Sequence, residues 1–188
     1  MTAADLFARM VARLDRAGIP YMLTGSFASA YHGRPRATQD LDFVIAPSPD
    51  QLRRLVRDLP PDQYYADEAA ALAALRHEAL FNVIDLATGW KIDFICRKSR
   101  PFSQVEFARR ALAQVEGLPL FIASVEDVML AKLEWAKLGG SPRQIEDVAG
   151  LLAVRGDDLD LAYVTRWVRE LAVGAEWEAA QGLSRRPE

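Results

Sequence analysis

The chain has 188 residues, of which 51% are hydrophobic and 26% are charged. This length and composition suit one substantial globular domain, or one domain with a small helical appendage. The net charge of −3 excludes an overall basic field that would attract nucleic acid. The single cysteine, Cys96, excludes an intrachain disulfide and a cysteine-based zinc site.

Hydropathy predicts no membrane segment. No apolar run approaches the roughly 20 residues that a helix needs to cross a bilayer. The N-terminus also lacks the apolar stretch of a signal peptide. We therefore expect a cytoplasmic protein without a membrane partner.

Helix and strand patterns alternate through the first two thirds of the chain. Apolar residues at helical spacing predict a first helix that Thr2 caps and Gly18 ends. The next predicted elements are, in chain order, a strand at 21–24, helical turns at 26–31, a strand at 40–46, helices at 49–59 and 66–78, strands at 80–86 and 91–96, a helix at 101–110, and strands at 113–115 and 119–122.

Only helical patterns follow residue 123. Ser124 caps a predicted helix at 125–138, a second helix follows Pro142, and a third covers 160–173. Strands mixed with helices, and then helices alone, predict an α+β fold with a mixed sheet of about five strands.

This change of pattern also predicts the domain organisation. We expect a mixed core at 1–123, a helical C-terminal region at 124–183 packed on that core, and a loose tail at 184–188.

A glycine and a hydroxyl residue, Gly25-Ser26, end the strand predicted at 21–24. Glycine lets a backbone approach a phosphate closely, and the amides at the start of the following helix point outward as donors. Arg34 and Arg36 lie in the loop towards the next strand, and Arg36 stands nearer to the acidic pair described next. These residues predict a triphosphate-binding turn with a nearby cation.

Two carboxylates, Asp40 and Asp42, stand two residues apart in the strand at 40–46. Side chains alternate along a strand, so both carboxylates face the same side of the sheet. Carboxylates placed side by side repel unless a cation lies between them, and Mg²⁺ prefers oxygen ligands. The pair therefore predicts a Mg²⁺ site, with Mn²⁺ as a substitute.

Two-metal phosphoryl chemistry calls for a third acid on a neighbouring strand. Asp85 and Asp93 are the candidates. Asp93 is enclosed by strand-forming residues, whereas Asp85 lies near the turn after its strand and could cap that turn. We therefore favour Asp93, as a metal ligand that also assists deprotonation of the acceptor hydroxyl.

Gly25-Ser26, Asp40-x-Asp42 and a later strand aspartate together resemble the signature of the DNA polymerase β-like nucleotidyltransferase superfamily. The segment from Val125 to Lys132, followed by Arg143-x-x-x-Asp147, resembles the C-terminal motif of the AbiEii-type toxin nucleotidyltransferases. The resemblance spans roughly residues 20 to 152.

This resemblance implies a Mg²⁺-dependent transfer of a nucleoside monophosphate from an NTP to an acceptor, with release of pyrophosphate. In the toxin branch it implies tRNA or another cellular target as acceptor, and an antitoxin protein as partner. It matches Gly25 and Ser26 to the triphosphate turn and Lys132 to a helical lysine that contacts the triphosphate.

Departures and alternatives remain. The chain is shorter than the well-known toxins, and it has Ser26 where those toxins have a second glycine. Lys132 could project from an exposed helix face, Asp127 could be a helix N-terminal charge, and Arg143 with Asp147 could form a surface ion pair. A small-molecule acceptor of the aminoglycoside kind, or a non-catalytic nucleotide-binding module, are the alternative functions.

Overall fold

The structure is a computed structural model that describes residues 3–33 and 38–185. The strands are β1 (Tyr21–Leu23), β2 (Asp40–Ile45), β3 (Tyr64–Tyr65), β4 (Leu80–Asp85), β5 (Lys91–Cys96), β6 (Ala111–Val115) and β7 (Leu118–Ile122). The helices are α1 (Ala3–Ala17), α2 (Gly25–His32), α3 (Pro49–Arg57), α4 (Glu68–Arg76), α5 (Pro101–Ala108), α6 (Val125–Gly139), α7 (Pro142–Arg155), α8 (Leu161–Glu170) and α9 (Gly174–Ser184).

The strands of the described residues form a seven-stranded mixed sheet in the order β3-β4-β5-β2-β1-β7-β6. β2 runs parallel to β5, and β1 runs parallel to β7, while the other neighbours are antiparallel. The predicted α+β class with a mixed sheet is confirmed. The count of about five strands was too low, and β3 escaped prediction because it is only two residues long.

Alternation along the two central strands decides which side chains leave the core. Leu41 and Phe43 of β2 are fully buried, as are Ile92 and Phe94 of β5. Each fully buried large side chain contributes about 1.5–3 kcal/mol to folding. The residues that alternate with them, including Asp40 and Asp42, therefore point to the opposite face of the sheet.

Local signals in the sequence set several helix ends. Ser48 and Gln51 form a reciprocal capping box at the start of α3. Ser124 caps α6 by accepting a hydrogen bond from the Asp127 amide, and Gly140 ends that helix in the left-handed conformation with φ +59°.

The chain divides into two compact units. The first contains the described residues 3–27 and 38–123, and the second contains 28–33 and 124–185. In the first unit, α1 packs on α3 and on strand β7 of the sheet. In the second unit, α7 packs on α6 and α9 around buried side chains such as Leu133 and Val148.

At the C-terminal end the structure differs from the prediction, and some predicted features at both ends lie outside the described residues. The helix α9 was not predicted, and Ser184, the first residue of the expected loose tail, is its last residue. Thr2, the expected cap of α1, and residues 186–188 lie outside the described residues. Within the described part of the chain, no helix combines the length and apolar character needed to cross a membrane.

Candidate active site

Gly25 brings the turn between β1 and α2 against the carboxylate of Asp42. Its φ is +65°, a conformation that side chains with a Cβ rarely adopt. A Cβ added at this position would lie 1.9 Å from Asp42 Oδ2. The backbone amide of Thr24 also donates to the Asp42 carbonyl oxygen at 3.0 Å. Glycine is therefore required here for two reasons. The backbone conformation disfavours a Cβ, and the Asp42 carboxylate fills the space that a Cβ would take.

The parallel pairing of β2 with β5 brings the predicted acids together. Asp42 is in register with Asp93, and Asp40 is in register with Lys91. Adjacent strands lie about 4.8 Å apart, and residues in register face the same side of the sheet. The three carboxylates predicted as metal ligands therefore share one face of two neighbouring strands.

Lys91 lies among these carboxylates. Its Nζ is 3.0 Å from Asp93 Oδ2 and 3.6 Å from Asp40 Oδ1. The hydrogen bond to Asp93 raises the pKa of Lys91 above its usual value, and the charges of Asp93, Asp40 and Asp42 act in the same direction against partial desolvation. The ammonium thus bridges the carboxylates of Asp93 and Asp40, and the charge of Asp42 acts on it from a greater distance.

Asn82 orients Asp93 from the other neighbouring strand. Asn82 on β4 is in register with Asp93, and its side-chain amide donates to Asp93 Oδ1. Asp93 is only 9% exposed, and its second oxygen, Oδ2, contacts Lys91. Each oxygen of this carboxylate therefore has its own protein partner.

Sequence reasoning missed both Lys91 and Asn82. The signal for Lys91 was present, since it stands two residues before Asp93 and must share its face. The signal for Asn82 was its polar side chain between the buried residues Phe81 and Val83. What the sequence could not show was the pairing of β4 with β5 in the register that joins Asn82 to Asp93.

Asp85, the alternative third acid, lies on the opposite face of the sheet. Its Oδ2 forms an ion pair with Arg9 Nη2 at 2.6 Å. Its Oδ1 accepts hydrogen bonds from the backbone amides of Ala87 and Thr88 and from the Thr88 hydroxyl. Asp85 therefore holds the turn after β4 and is not part of the Asp40, Asp42 and Asp93 group.

Lys132 lies in the second unit and is buried, with 4% of its surface exposed. Its Nζ is 2.7 Å from Asp147 Oδ2 and 3.1 Å from Gln144 Oε1. The alternative of an exposed Lys132 is therefore wrong. The surface ion pair of Arg143 with Asp147 is also corrected, because the Asp147 side chain is only 11% exposed and bonds to Lys132.

Asp127 is fully buried at the start of α6. Its carboxylate accepts hydrogen bonds from the Ser124 hydroxyl at 2.7 Å and from the Tyr163 hydroxyl at 2.6 Å. Asp127 does lie in the first turn of α6, as expected of a helix N-terminal charge, and its buried hydrogen bonds add a second role. Asp127 joins α6 to α8 inside the second unit.

The remaining predicted site residues are Ser26 and Arg36. Ser26 is the second residue of α2, half-buried, directly after Gly25. Arg36 lies outside the described residues, so its expected contact with the triphosphate stays a prediction.

Oxygen donors of the kind that Mg²⁺ prefers are all present in the first unit, on Asp40, Asp42 and Asp93. In the described part of the chain, no group of three or more His, Cys, Asp or Glu side chains is arranged to hold a metal ion. The Lys91 ammonium contacts two of these three carboxylates, Asp40 and Asp93. The donor chemistry therefore fits a divalent ion, while the arrangement in this structure has a lysine as counter-ion.

No family model and no curated protein matches the chain in sequence. Solved structures match it in fold. A nucleotidyltransferase-like antigen from Paracoccidioides brasiliensis matches with a TM-score of 0.52 and 16% identity, covering 92% of this chain and 89% of its own. The antibiotic-resistance factor ANT(2'')-Ia matches with a TM-score of 0.54 and 14% identity, covering 95% and 94%.

This chain has the nucleotidyltransferase fold. A second structure of ANT(2'')-Ia, in complex with adenylyl-2''-tobramycin, matches with a TM-score of 0.52 and 14% identity, covering 92% of this chain and 98% of its own. At these identities the likeness establishes the fold, and the nucleotidyltransferase fold extends over almost the whole chain. The AbiEii-type branch stays a prediction.

Proposed function

We propose that this protein is a Mg²⁺-dependent nucleotidyltransferase that moves an NMP from an NTP to a hydroxyl acceptor. The observation that carries the proposal is the placement of Asp42. Asp42 is in register with Asp93 and lies against the φ-positive Gly25 turn. One carboxylate thereby joins the expected metal ligands to the expected triphosphate turn.

Each residue of the first unit takes one part of the reaction. Asp40, Asp42 and Asp93 would hold the metal, and the backbone at Gly25 with the hydroxyl of Ser26 would bind the triphosphate. When bound, Mg²⁺ neutralises phosphate charge and lowers the pKa of the attacking hydroxyl. Lys132 and Arg36 are proposed to support triphosphate binding, as the family resemblance implies.

The transfer needs a proton acceptor and a leaving group. The acceptor hydroxyl gives its proton to Asp93 and its oxygen forms a bond to the α-phosphorus of the NTP. The bond between that phosphorus and the bridging oxygen breaks, and pyrophosphate leaves with the electron pair. Asn82 contributes by holding Asp93 Oδ1, which leaves Oδ2 on the side of Lys91 and Asp40.

The acceptor is proposed to be RNA, in particular tRNA, or protein, because the motif from Val125 to Asp147 resembles that of the toxin branch. A small hydroxyl compound is the second candidate. It is favoured by the complex of ANT(2'')-Ia with adenylyl-2''-tobramycin, whose fold this chain shares over most of its length. The net charge of −3 also suits a cationic small molecule.

The direct test supplies each of the four α-labelled NTPs with Mg²⁺ and with total tRNA, a protein extract or a panel of aminoglycosides. We expect label transfer to one acceptor class, and a loss of at least about 10³-fold in the Asp42→Asn variant, which removes one carboxylate charge at the site. Asp50→Asn is the matched control, since its side chain is exposed and belongs to α3.

No transfer by the native protein to any of the three classes would overturn the proposal. Nucleotide binding that persists without Mg²⁺ and releases no pyrophosphate would instead support a non-catalytic module. On expression, growth arrest relieved by the product of a neighbouring gene would support a toxin with an antitoxin partner, and resistance to an aminoglycoside would support the small-molecule acceptor.

A further inference from the structure

Lys91 belongs to the site, but it is neither a proposed metal ligand nor part of the triphosphate turn. It is the first residue of β5, two residues before Asp93, and it shares the face of the three carboxylates. Its Nζ contacts carboxylate oxygens on both strands, Asp93 Oδ2 on β5 and Asp40 Oδ1 on β2. An ammonium in this place supplies the positive charge that the proposed metal would supply.

An ammonium and a divalent ion cannot both use Asp93 Oδ2 in this way. Mg²⁺ binds carboxylate oxygens directly at about 2.0–2.1 Å. The Lys91 Nζ is already 3.0 Å from the same oxygen, and two cations brought this close repel each other strongly in a partly desolvated site. Metal entry therefore requires the Lys91 ammonium to move away from Asp93.

The exposure of the groups makes such a movement feasible. The Lys91 side chain is 43% exposed, and it has three rotatable donors on a flexible stem. The Asp93 carboxylate, by contrast, is held by the Asn82 amide and stays in place. The Lys91 side chain is thus free to change rotamer, whereas the Asp93 carboxylate is held.

We propose that Lys91 is a resident counter-cation that a divalent metal must displace, so that metal binds tightly only together with the nucleotide. This inference rests on the proposed function. The phosphates of the incoming nucleotide then accept the displaced ammonium, which makes metal and nucleotide binding cooperative. Lys91 in this way selects the metal–nucleotide complex over the free metal ion.

Manganese binding tests this directly, because free Mn²⁺ is measured by electron paramagnetic resonance without any turnover. The proteins are the native chain, Lys91→Met, Lys91→Arg and the control Lys98→Met, which removes a charge from an exposed loop after β5. We expect Lys91→Met to bind Mn²⁺ alone about tenfold more tightly than the native protein. The Arg and Lys98 variants should bind Mn²⁺ as the native protein does.

The coupling to nucleotide gives a second readout. With α,β-methylene analogues of the four NTPs present, native binding of Mn²⁺ should tighten at least about tenfold, and that increase should shrink in Lys91→Met. Thermal unfolding adds a third readout. The loss of Tm caused by Lys91→Met in EDTA should be reduced or absent at saturating Mg²⁺, because the ion then takes over the charge of the ammonium.

Unchanged or weaker Mn²⁺ binding by Lys91→Met, with tight binding by the native protein, would overturn this inference and leave the proposed function standing. Failure of every variant to bind Mn²⁺, even with the nucleotide analogues, would overturn the proposed function as well. If Lys91→Met does not fold, Lys91→Gln removes the same charge with a polar side chain, and the same two outcomes apply to it.

Discussion

The two units of the molecule each contain a lysine bonded to a carboxylate, but the two arrangements differ in access to water. In the first unit, Lys91 contacts the carboxylates of Asp93 and Asp40, and the Lys91 and Asp40 side chains are 43% and 55% exposed. In the second unit, Lys132 and Asp147 form a buried pair. The first arrangement is therefore open to solution, and the second is not.

This difference predicts different responses to substitution in the two units. Removing one partner of a buried ion pair is strongly destabilising. A group of carboxylates that is partly open to solvent can exchange one cation for another. The comparison therefore favours the first unit as the place where a further cation binds, and four predictions test it, from the largest expected effect to the smallest.

Replacing Lys132 by Met should cause the largest loss of stability. The substitution leaves Asp147 buried without its ammonium, which costs about 3–5 kcal/mol of the free energy of unfolding. Urea denaturation measures the change. The same substitution at Lys91 should cost clearly less, because that lysine is partly exposed, and equal losses for the two variants would break the comparison.

The pair of variants Gly25→Ala and Gly117→Ala should separate backbone strain from steric conflict. Both glycines have positive φ, so each alanine costs about 1–2 kcal/mol. Only at Gly25 would the new Cβ meet Asp42, which adds about 1–3 kcal/mol of overpacking. Thermal unfolding of the two variants measures the difference in stability loss. Equal losses would show that the Asp42 side chain moves aside at little cost.

Asp85→Asn sharpens the comparison within the first unit, since this carboxylate lies on the other face of the sheet. The variant loses its charge towards Arg9 and should lower the free energy of unfolding by about 1–3 kcal/mol. Nucleotidyl transfer by the folded variant should remain within about threefold of native. The exposed Asp62→Asn is the control, and a loss of activity as large as that of Asp42→Asn would contradict the assignment of Asp85 as structural.

The smallest expected effect concerns Cys96, whose thiol reactivity reports on the buried face of β5. It lies on the buried face, 1% exposed, and burial raises its pKa to about 11. Ellman's reagent at pH 8 should therefore modify it only after unfolding in urea. Because the unfolded thiol loses its proton at lower pH than the folded one, the contribution of Cys96 to stability should fall between about pH 9 and 11. Rapid labelling of the native protein would show that β5 opens.

The sequence was sufficient for the chemistry on single strands and insufficient for the pairing between strands. Alternation of side chains along β2 placed Asp40 and Asp42 on one face, and Asp93 was expected to face the same way from a neighbouring strand. The register that aligns Asp42 with Asp93 joins residues 51 positions apart, and no local pattern specifies such a pairing.

Burial of charged residues was the other limit. The helical pattern around Lys132 did not reveal that its ammonium reaches Asp147 in the next helix. Helical spacing shows which residues share a face, but the partner of that face depends on tertiary packing. The short β3 strand was missed for a similar reason, since two residues carry no alternation.

The contact between Gly25 and Asp42 has a consequence for how such chains can diverge. A side chain at position 25 and a carboxylate at position 42 exclude each other sterically, so the two positions cannot change independently. A descendant of this chain that gains a residue larger than glycine at the turn must first shorten or rebuild the acid. Loss of the glycine would then mark loss of the carboxylate that we propose as a metal ligand, which makes one backbone position an indicator of whether the proposed site survives.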